Sequence, residues 1–316
     1  MERKFIKSGI DGLDEVLGGG ILEGSIITVS GPTGAGKSTF AAQFLYNGAM
    51  QSDEPGIYIA IEESRRDFFF HMGGFEMDFA TLERDRKFIL LDYPIHEVDQ
   101  IINQSGSIQE IINSTGVKRV VIDSVMPIAL YFKGEDERKK GFLKFIDNLR
   151  KWNVTTIIVS EDLKIHSGSR PSSEFGIESF TDGWINLFYR YDERTMERSR
   201  FVEVVKMKGV AHSARSYPVS LTNRGFAITN GQQKPSEAKP SAPAAAPAEK
   251  KEPEKTGRTL RMVPPPKPKE AKEPKAPSAA PPPKAAPAPA KAAPAKMTPA
   301  LAARLAEAKN KIMKKK

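Results

Sequence analysis

Residues Gly31-Pro32-Thr33-Gly34-Ala35-Gly36-Lys37-Ser38 satisfy the pattern G-x-x-x-x-G-K-[ST], between an apolar run at Ile26–Ser30 and a helical pattern that starts at Lys37. No other feature limits the fold as much, because a strand that feeds such a loop into a helix is the start of a βαβ unit. The glycines let the loop wrap until its backbone N–H groups point inward at phosphate oxygens. The helix N-terminus adds the positive end of its dipole at the same place. In that geometry Lys37 reaches the β- and γ-phosphates of a nucleotide and the Ser38 hydroxyl ligates Mg²⁺. Gly31, Thr33, Gly34, Ala35, Gly36 and Thr39 complete the predicted phosphate cradle.

The neighbouring pattern agrees with this start. Ile26–Ser30, Ile57–Ile61, Phe88–Leu91, Val120–Ile122 and Thr156–Val159 are short continuous apolar runs, as central parallel strands are. Helical segments are predicted between them at Lys37–Met50, Ser64–Gly73, Glu97–Thr115 and Glu135–Trp152. In the last, Phe142, Phe145, Ile146 and Leu149 recur at steps of three and four and form one apolar stripe. Strands alternating with helices predict an α/β fold with a mostly parallel sheet covered on both faces. Beyond Trp184 the connections shorten, and Trp184–Arg190, Phe201–Met207 and Tyr217–Leu221 predict antiparallel strands added to that sheet.

Two further sets of carboxylates fall at strand ends. Val120-Val121-Ile122-Asp123 places Asp123 where a Mg²⁺ shell needs an acidic ligand, so Ser38 and Asp123 are the predicted metal ligands. Ile59-Ala60-Ile61 is followed by Glu62 and Glu63. A nucleotide hydrolase needs a group that orients the attacking water. Strand alternation would send the two glutamates to opposite faces, so Glu62 is assigned to the water and Glu63 to a supporting role. His71, His96, His166 and His212 show no metal-ligand spacing. Phe68-Phe69-Phe70 cannot all face one core, and one of the three is expected at a subunit contact.

Charge divides the chain into unlike pieces. Residues 1–231 carry a net charge of −4 and residues 232–316 a net charge of +13, so the overall +9 belongs to the tail. Eighteen of the 24 prolines also lie beyond residue 231. Three segments follow: a globular part at 1–231, a Pro/Ala/Lys-rich linker at 232–296 and a short basic amphipathic helix at 297–316. The linker holds too few large apolar residues to offset its ordering entropy and is predicted to be disordered. Thr298-Pro299 reads as an N-cap and first helical residue, and Leu301, Leu305, Ala308 and Ile312 share one face. The absence of cysteine excludes disulfides and thiolate metal sites. No run of 18 apolar residues is present to span a membrane, and no signal peptide is evident, so a cytoplasmic protein is expected.

Taken in order, these motifs resemble the KaiC-like branch of the RecA superfamily. The resemblance runs from Ser8-Gly9-Ile10-Asp11-Gly12-Leu13-Asp14 and Gly18-Gly19-Gly20 through the phosphate loop, Glu62-Glu63-Ser64 and Arg119-Val120-Val121-Ile122-Asp123-Ser124. It ends with Val205-Lys206-Met207-Lys208-Gly209 and Tyr217-Pro218. It implies a RecA-like core, ATP as the nucleotide and a homo-oligomeric ring, usually a hexamer, with ATP at subunit boundaries. It also implies that Lys206 and Lys208 reach the γ-phosphate bound by a neighbouring subunit, although alone they read as a solvated strand edge. Lys208 stands where arginine is common, and a lysine cannot form the bidentate fork, so slow turnover is expected. By the same resemblance Ser160 is a polar strand-end sensor near the γ-phosphate. Lys164–Phe180 matches a channel-facing loop with Lys164, His166 and Arg170 as contacts. Only Ser179 occupies the segment where the clock protein's autophosphorylating copy has adjacent Ser and Thr, so autophosphorylation is not expected.

The leading functional expectation is an ATP-dependent oligomeric switch whose tail recruits a protein partner. The alternatives are a recombinase-like accessory ATPase that uses the basic tail on nucleic acid, and a non-hydrolysing ATP sensor within a larger machine. The terminal helix could equally dock on an anionic membrane surface.

Overall fold

The computed structural model describes residues 3–229 except 104, 162–170 and 172–174. Lys164, His166 and Arg170, the linker at 232–296 and the helix at 297–316 therefore lie outside the described residues. In chain order the elements are β1 Phe5–Ile6, α1 Leu13–Val16, β2 Ile21–Leu22, β3 Ile26–Gly31, α2 Lys37–Gln51, β4 Gly56–Ile61, α3 Arg65–Met72, α4 Phe79–Arg84 and β5 Phe88–Tyr93. A 3₁₀ turn at Ile95–Glu97 leads to α5 Val98–Asn103, α6 Ser105–Thr115, β6 Arg119–Asp123, α7 Met126–Tyr131, α8 Glu135–Trp152 and β7 Thr155–Glu161. A second 3₁₀ turn at Ile177–Ser179 precedes β8 Gly183–Asp192, β9 Glu197–Met207, β10 Ser216–Thr222 and β11 Gly225–Ile228. No helix among the described residues is long and apolar enough to cross a membrane.

Nine strands form one sheet in the order β11-β10-β9-β8-β3-β7-β6-β4-β5. The strands from β8 to β5 pair in parallel, and the β8–β9, β9–β10 and β10–β11 pairs are antiparallel. This is a RecA-like α/β architecture. The central strands are wholly buried because each face carries a helical layer. Ile27, Val29, Tyr58, Val121, Ile157 and Val159 pack with Phe40 and Phe44 of α2 and Phe68 of α3. Ile26, Ile57, Ile59, Val120, Ile122 and Ile158 pack on the other face with Phe142, Phe145, Ile146 and Leu149 of α8.

The helix expected at Glu97–Thr115 is a 3₁₀ turn followed by two helices. The Phe68-Phe69-Phe70 run divides as a helix requires. Phe68 is fully buried, Phe69 packs on the core from its edge, and Phe70 is 79% exposed.

A fully buried arginine ties three segments together. The Arg119 guanidinium donates to Glu54 Oε2 at 2.6 Å, to the Phe44 carbonyl at 2.8 Å and to the Lys7 carbonyl at 2.8 Å. It also lies 4.5 Å over the Phe44 ring. Gly48 on α2 leaves the room it needs, since a Cβ there would run into the guanidinium. Gly48→Ala is therefore expected to destabilise the fold by about 1–3 kcal/mol despite alanine's better helix propensity. A urea denaturation midpoint equal to or above the parent's would contradict this.

Candidate nucleotide-binding site

The carboxyl ends of β3, β4, β6 and β7 open into a cavity of about 560 Å³, within the range of small-molecule sites. Such a crevice is where open parallel sheets bind ligands. Thr33, Gly34, Gly36, Lys37, Ser38 and Thr39 line one wall, and Glu62, Glu63, Asp123 and Glu161 line the opposing side. Gly31 and Ala35 shape the loop without lining the cavity. Gly31 has φ 152° and no room for a Cβ against the Leu187 carbonyl, and Ala35 is buried in the core.

The loop suits an anion on its own evidence. Helix α2 begins at Lys37 with no side-chain cap and no acidic residue in its first turn, so its terminal N–H groups and dipole are left to a ligand. Gly36, at φ 96°, makes the left-handed turn into that helix. Lys37 is only 7% exposed, and its Nζ donates back to the Pro32 carbonyl at 3.1 Å, inside the curve of the loop.

Opposite it, Asp123 accepts from Tyr58 Oη at 2.5 Å and shares the cavity wall with Ser38. Burial pushes the Asp123 carboxyl up, while the Tyr58 and Ser38 hydroxyls and Lys37 pull it down. Hydroxyl and carboxylate oxygens are the hard donors that Mg²⁺ takes, so this pair fits the ion expected beside a nucleotide.

Glu62 and Glu63 both line the cavity, which corrects the expectation that alternation sends them to opposite faces. The strand ends at Ile61, and Glu62 takes φ 98°, so the period of two no longer applies. Burial raises the Glu62 carboxyl above its ordinary value, and the charges of Glu161 and Asp123 raise it further. Glu63 is raised by burial and drawn down by His71, whose Nδ1 lies 2.7 Å from its Oε1. Ser64 caps α3 by accepting from the Asp67 amide, which fixes the turn carrying both glutamates.

Ser160 is placed elsewhere. Its neighbours Val159 and Glu161 line the cavity, and by strand alternation Ser160 faces the other side of the sheet. There it is fully buried, and its hydroxyl finds no partner among the described residues. Glu161, one position on, is the polar group at the cavity, and a carboxylate at the end of a buried strand was the available signal.

Lys206 and Lys208 do not line this cavity. Lys206 Nζ donates to the Glu178 carbonyl at 3.0 Å, and Lys208 Nζ lies 3.4 Å from Asp182 Oδ1. Asp182 also accepts two hydrogen bonds from Arg150 and one from the Ile26 amide. Burial and the adjacent Lys208 charge lower the Lys206 ammonium from its ordinary value.

The family described as "ATPase: KaiC" matches residues 6–233. A UPF0273 protein of Pyrococcus furiosus is 33% identical over 237 residues, covering 71% of this chain and 93% of that protein. The circadian clock oscillator protein KaiC of Parathermosynechococcus lividus is 31% identical over 229 residues, covering 70% of this chain and 42% of that longer protein. The crystal structure of a KaiC-like protein from Pyrococcus horikoshii matches with a TM-score of 0.63 at 34% identity, covering 72% of this chain and all of that one. The phosphate loop, the RecA-like sheet and these likenesses agree: the chain belongs to the KaiC-like family of P-loop ATPases and carries one such domain.

Proposed function

We propose that this ATPase binds ATP with Mg²⁺ in the cavity described above, hydrolyses it slowly, and uses the bound nucleotide to hold copies of itself in a ring. The observation that carries this reading is the convergence of Lys37 and Ser38 from α2, Glu62 from the turn after β4 and Asp123 from β6 on one cavity at the carboxyl ends of parallel strands. Lys37 and the α2 N-terminus hold the phosphates, and Ser38 and Asp123 hold the metal ion. Magnesium, when bound there, neutralises charge on the phosphate oxygens. Glu62 orients the attacking water and accepts its proton, and Glu63 is steadied by His71. Lys206 and Lys208 lie away from their own chain's cavity, which supports a role at the γ-phosphate of a neighbouring copy. There they neutralise charge developing during transfer, without the fork an arginine would bring. The ring, which the resemblance suggests is a hexamer, would act in the cytoplasm as a switch, with the basic tail recruiting a protein partner.

Glu62→Gln in the full chain tests this assignment. The amide keeps the shape and loses the base, so phosphate release is expected to fall by about 10²–10⁴-fold while ATP binding persists. Parent-like phosphate release would remove Glu62 from the chemistry and favour a non-hydrolysing ATP sensor.

The profile of turnover against pH is a second test. Below its pKa Glu62 is protonated and cannot accept a proton, so activity falls on the acid side with a midpoint above the ordinary 4.5. Above its pKa Lys206 is neutral, so activity also falls on the alkaline side, with a midpoint below the ordinary 10.5. Glu62→Gln should abolish the acid limb, and Lys206→Arg should shift the alkaline limb upward. An acid limb unchanged in the residual activity of Glu62→Gln would assign it to another group.

A further inference from the structure

Tyr58 is fully buried on β4, yet its hydroxyl bonds a residue that lines the cavity. It donates to Asp123 Oδ2 at 2.5 Å. No part of the reading above uses this group. We propose that Tyr58 is a positioning residue for the metal site, fixing which way the Asp123 carboxylate faces and thereby setting how tightly the site takes a divalent cation beside the nucleotide. The assignment rests on the ATP reading of the cavity.

The argument is geometric. A carboxylate at a strand end can rotate about its terminal torsion, and a ligand that must be reoriented binds a metal less tightly. Here the phenol holds Oδ2, which leaves Oδ1 for the ion. The phenol itself cannot move. Its ring lies 4.7 Å from Phe68, which stacks on Phe88 at 5.7 Å and meets Phe79 edge-on at 5.2 Å. Phe68 belongs to α3, the helix that follows Glu62 and Glu63 and supplies His71 to Glu63. The aromatic cluster therefore fixes the donor to Asp123 and the helix behind the two glutamates as one block. A phenylalanine would satisfy the packing at this position equally well, so the hydroxyl needs a separate reason to be there.

Tyr58→Phe in the full chain is the test, because it removes one oxygen and leaves the ring. The readout is the shift in melting temperature caused by a fixed ATP concentration as MgCl₂ is titrated, alongside ATP binding in EDTA. The half-saturating Mg²⁺ concentration is expected to rise about tenfold, as lost partners of metal ligands generally produce. ATP binding in EDTA and the nucleotide-free melting temperature should stay close to the parent's. In an Asp123→Asn background the same change should have no further effect on the Mg²⁺ response. A Mg²⁺ response unchanged by Tyr58→Phe overturns the proposal. So does a lowered nucleotide-free melting temperature with an unchanged Mg²⁺ response, which would make the hydroxyl a packing feature only. A parent chain whose melting temperature ignores ATP and Mg²⁺ altogether overturns the nucleotide reading itself, and this assignment with it.

Discussion

Lys37→Ala is expected to lower steady-state ATP turnover by about a thousandfold, the upper range for removing one preorganised charge stabiliser of a transferring group. The size follows from where the lysine sits. It is 7% exposed, curled against the Pro32 carbonyl, and its charge acts on Asp123 across the cavity. A cation so shielded from water acts more strongly on a phosphate than a surface lysine would. Its removal leaves the loop glycines and the α2 dipole in place, so residual nucleotide binding should survive. Phosphate release at saturating Mg-ATP measures this. Turnover within about tenfold of the parent would mean that the phosphates lie somewhere other than this loop.

The largest effect on stability is expected from Arg119→Ala, at about 3–5 kcal/mol, the cost of breaking a buried ion pair by removing one partner. The Glu54 carboxylate would lose its cation, and the Phe44 and Lys7 carbonyls would lose their donor. A void would also open beside the Phe44 ring. Arg119→Met fills that void without restoring the hydrogen bonds and should recover part of the loss. Urea unfolding of both variants decides the matter, and a loss below about 1 kcal/mol for Arg119→Ala would contradict the role assigned to the guanidinium. The residue matters to function because it binds the Lys7 carbonyl and the Phe44 carbonyl to the start of β6. Phe44 lies on α2, whose N-terminus is the phosphate loop.

The parallel core was legible in the sequence because buried central strands have no solvent face, and their continuous apolar runs stand out from everything around them. Ile26–Gly31, Gly56–Ile61 and Arg119–Asp123 lie within a residue or two of their expected bounds. Helix α8 was legible from its stripe, and its bounds are as expected. The short elements were not. The β1–β2 ribbon, α1, α4, α7 and β11 are two to six residues long and too short to show a period. At the cavity the phosphate loop and Asp123 were legible from their motifs. The two glutamates were assigned faces by a strand period that stops one residue before them. Tyr58 and Glu161 were missed for a different reason. Tyr58 reads as an ordinary residue of a buried strand, and Glu161 signals only as a strand-end carboxylate; the parallel pairing of β4 with β6 and of β6 with β7 sets both strands beside the one that carries Asp123. Long-range sheet order is the information a local pattern lacks.

The central claim is that bound ATP holds copies of this chain together. Light scattering of the full chain with Mg-ATP, with Mg-ADP and without nucleotide tests it most directly, with Lys37→Ala as the control. The account predicts a rise in mass toward a ring with Mg-ATP, a smaller assembly with Mg-ADP or no nucleotide, and no ATP-dependent rise in the variant. One unchanging mass under all three conditions would contradict it.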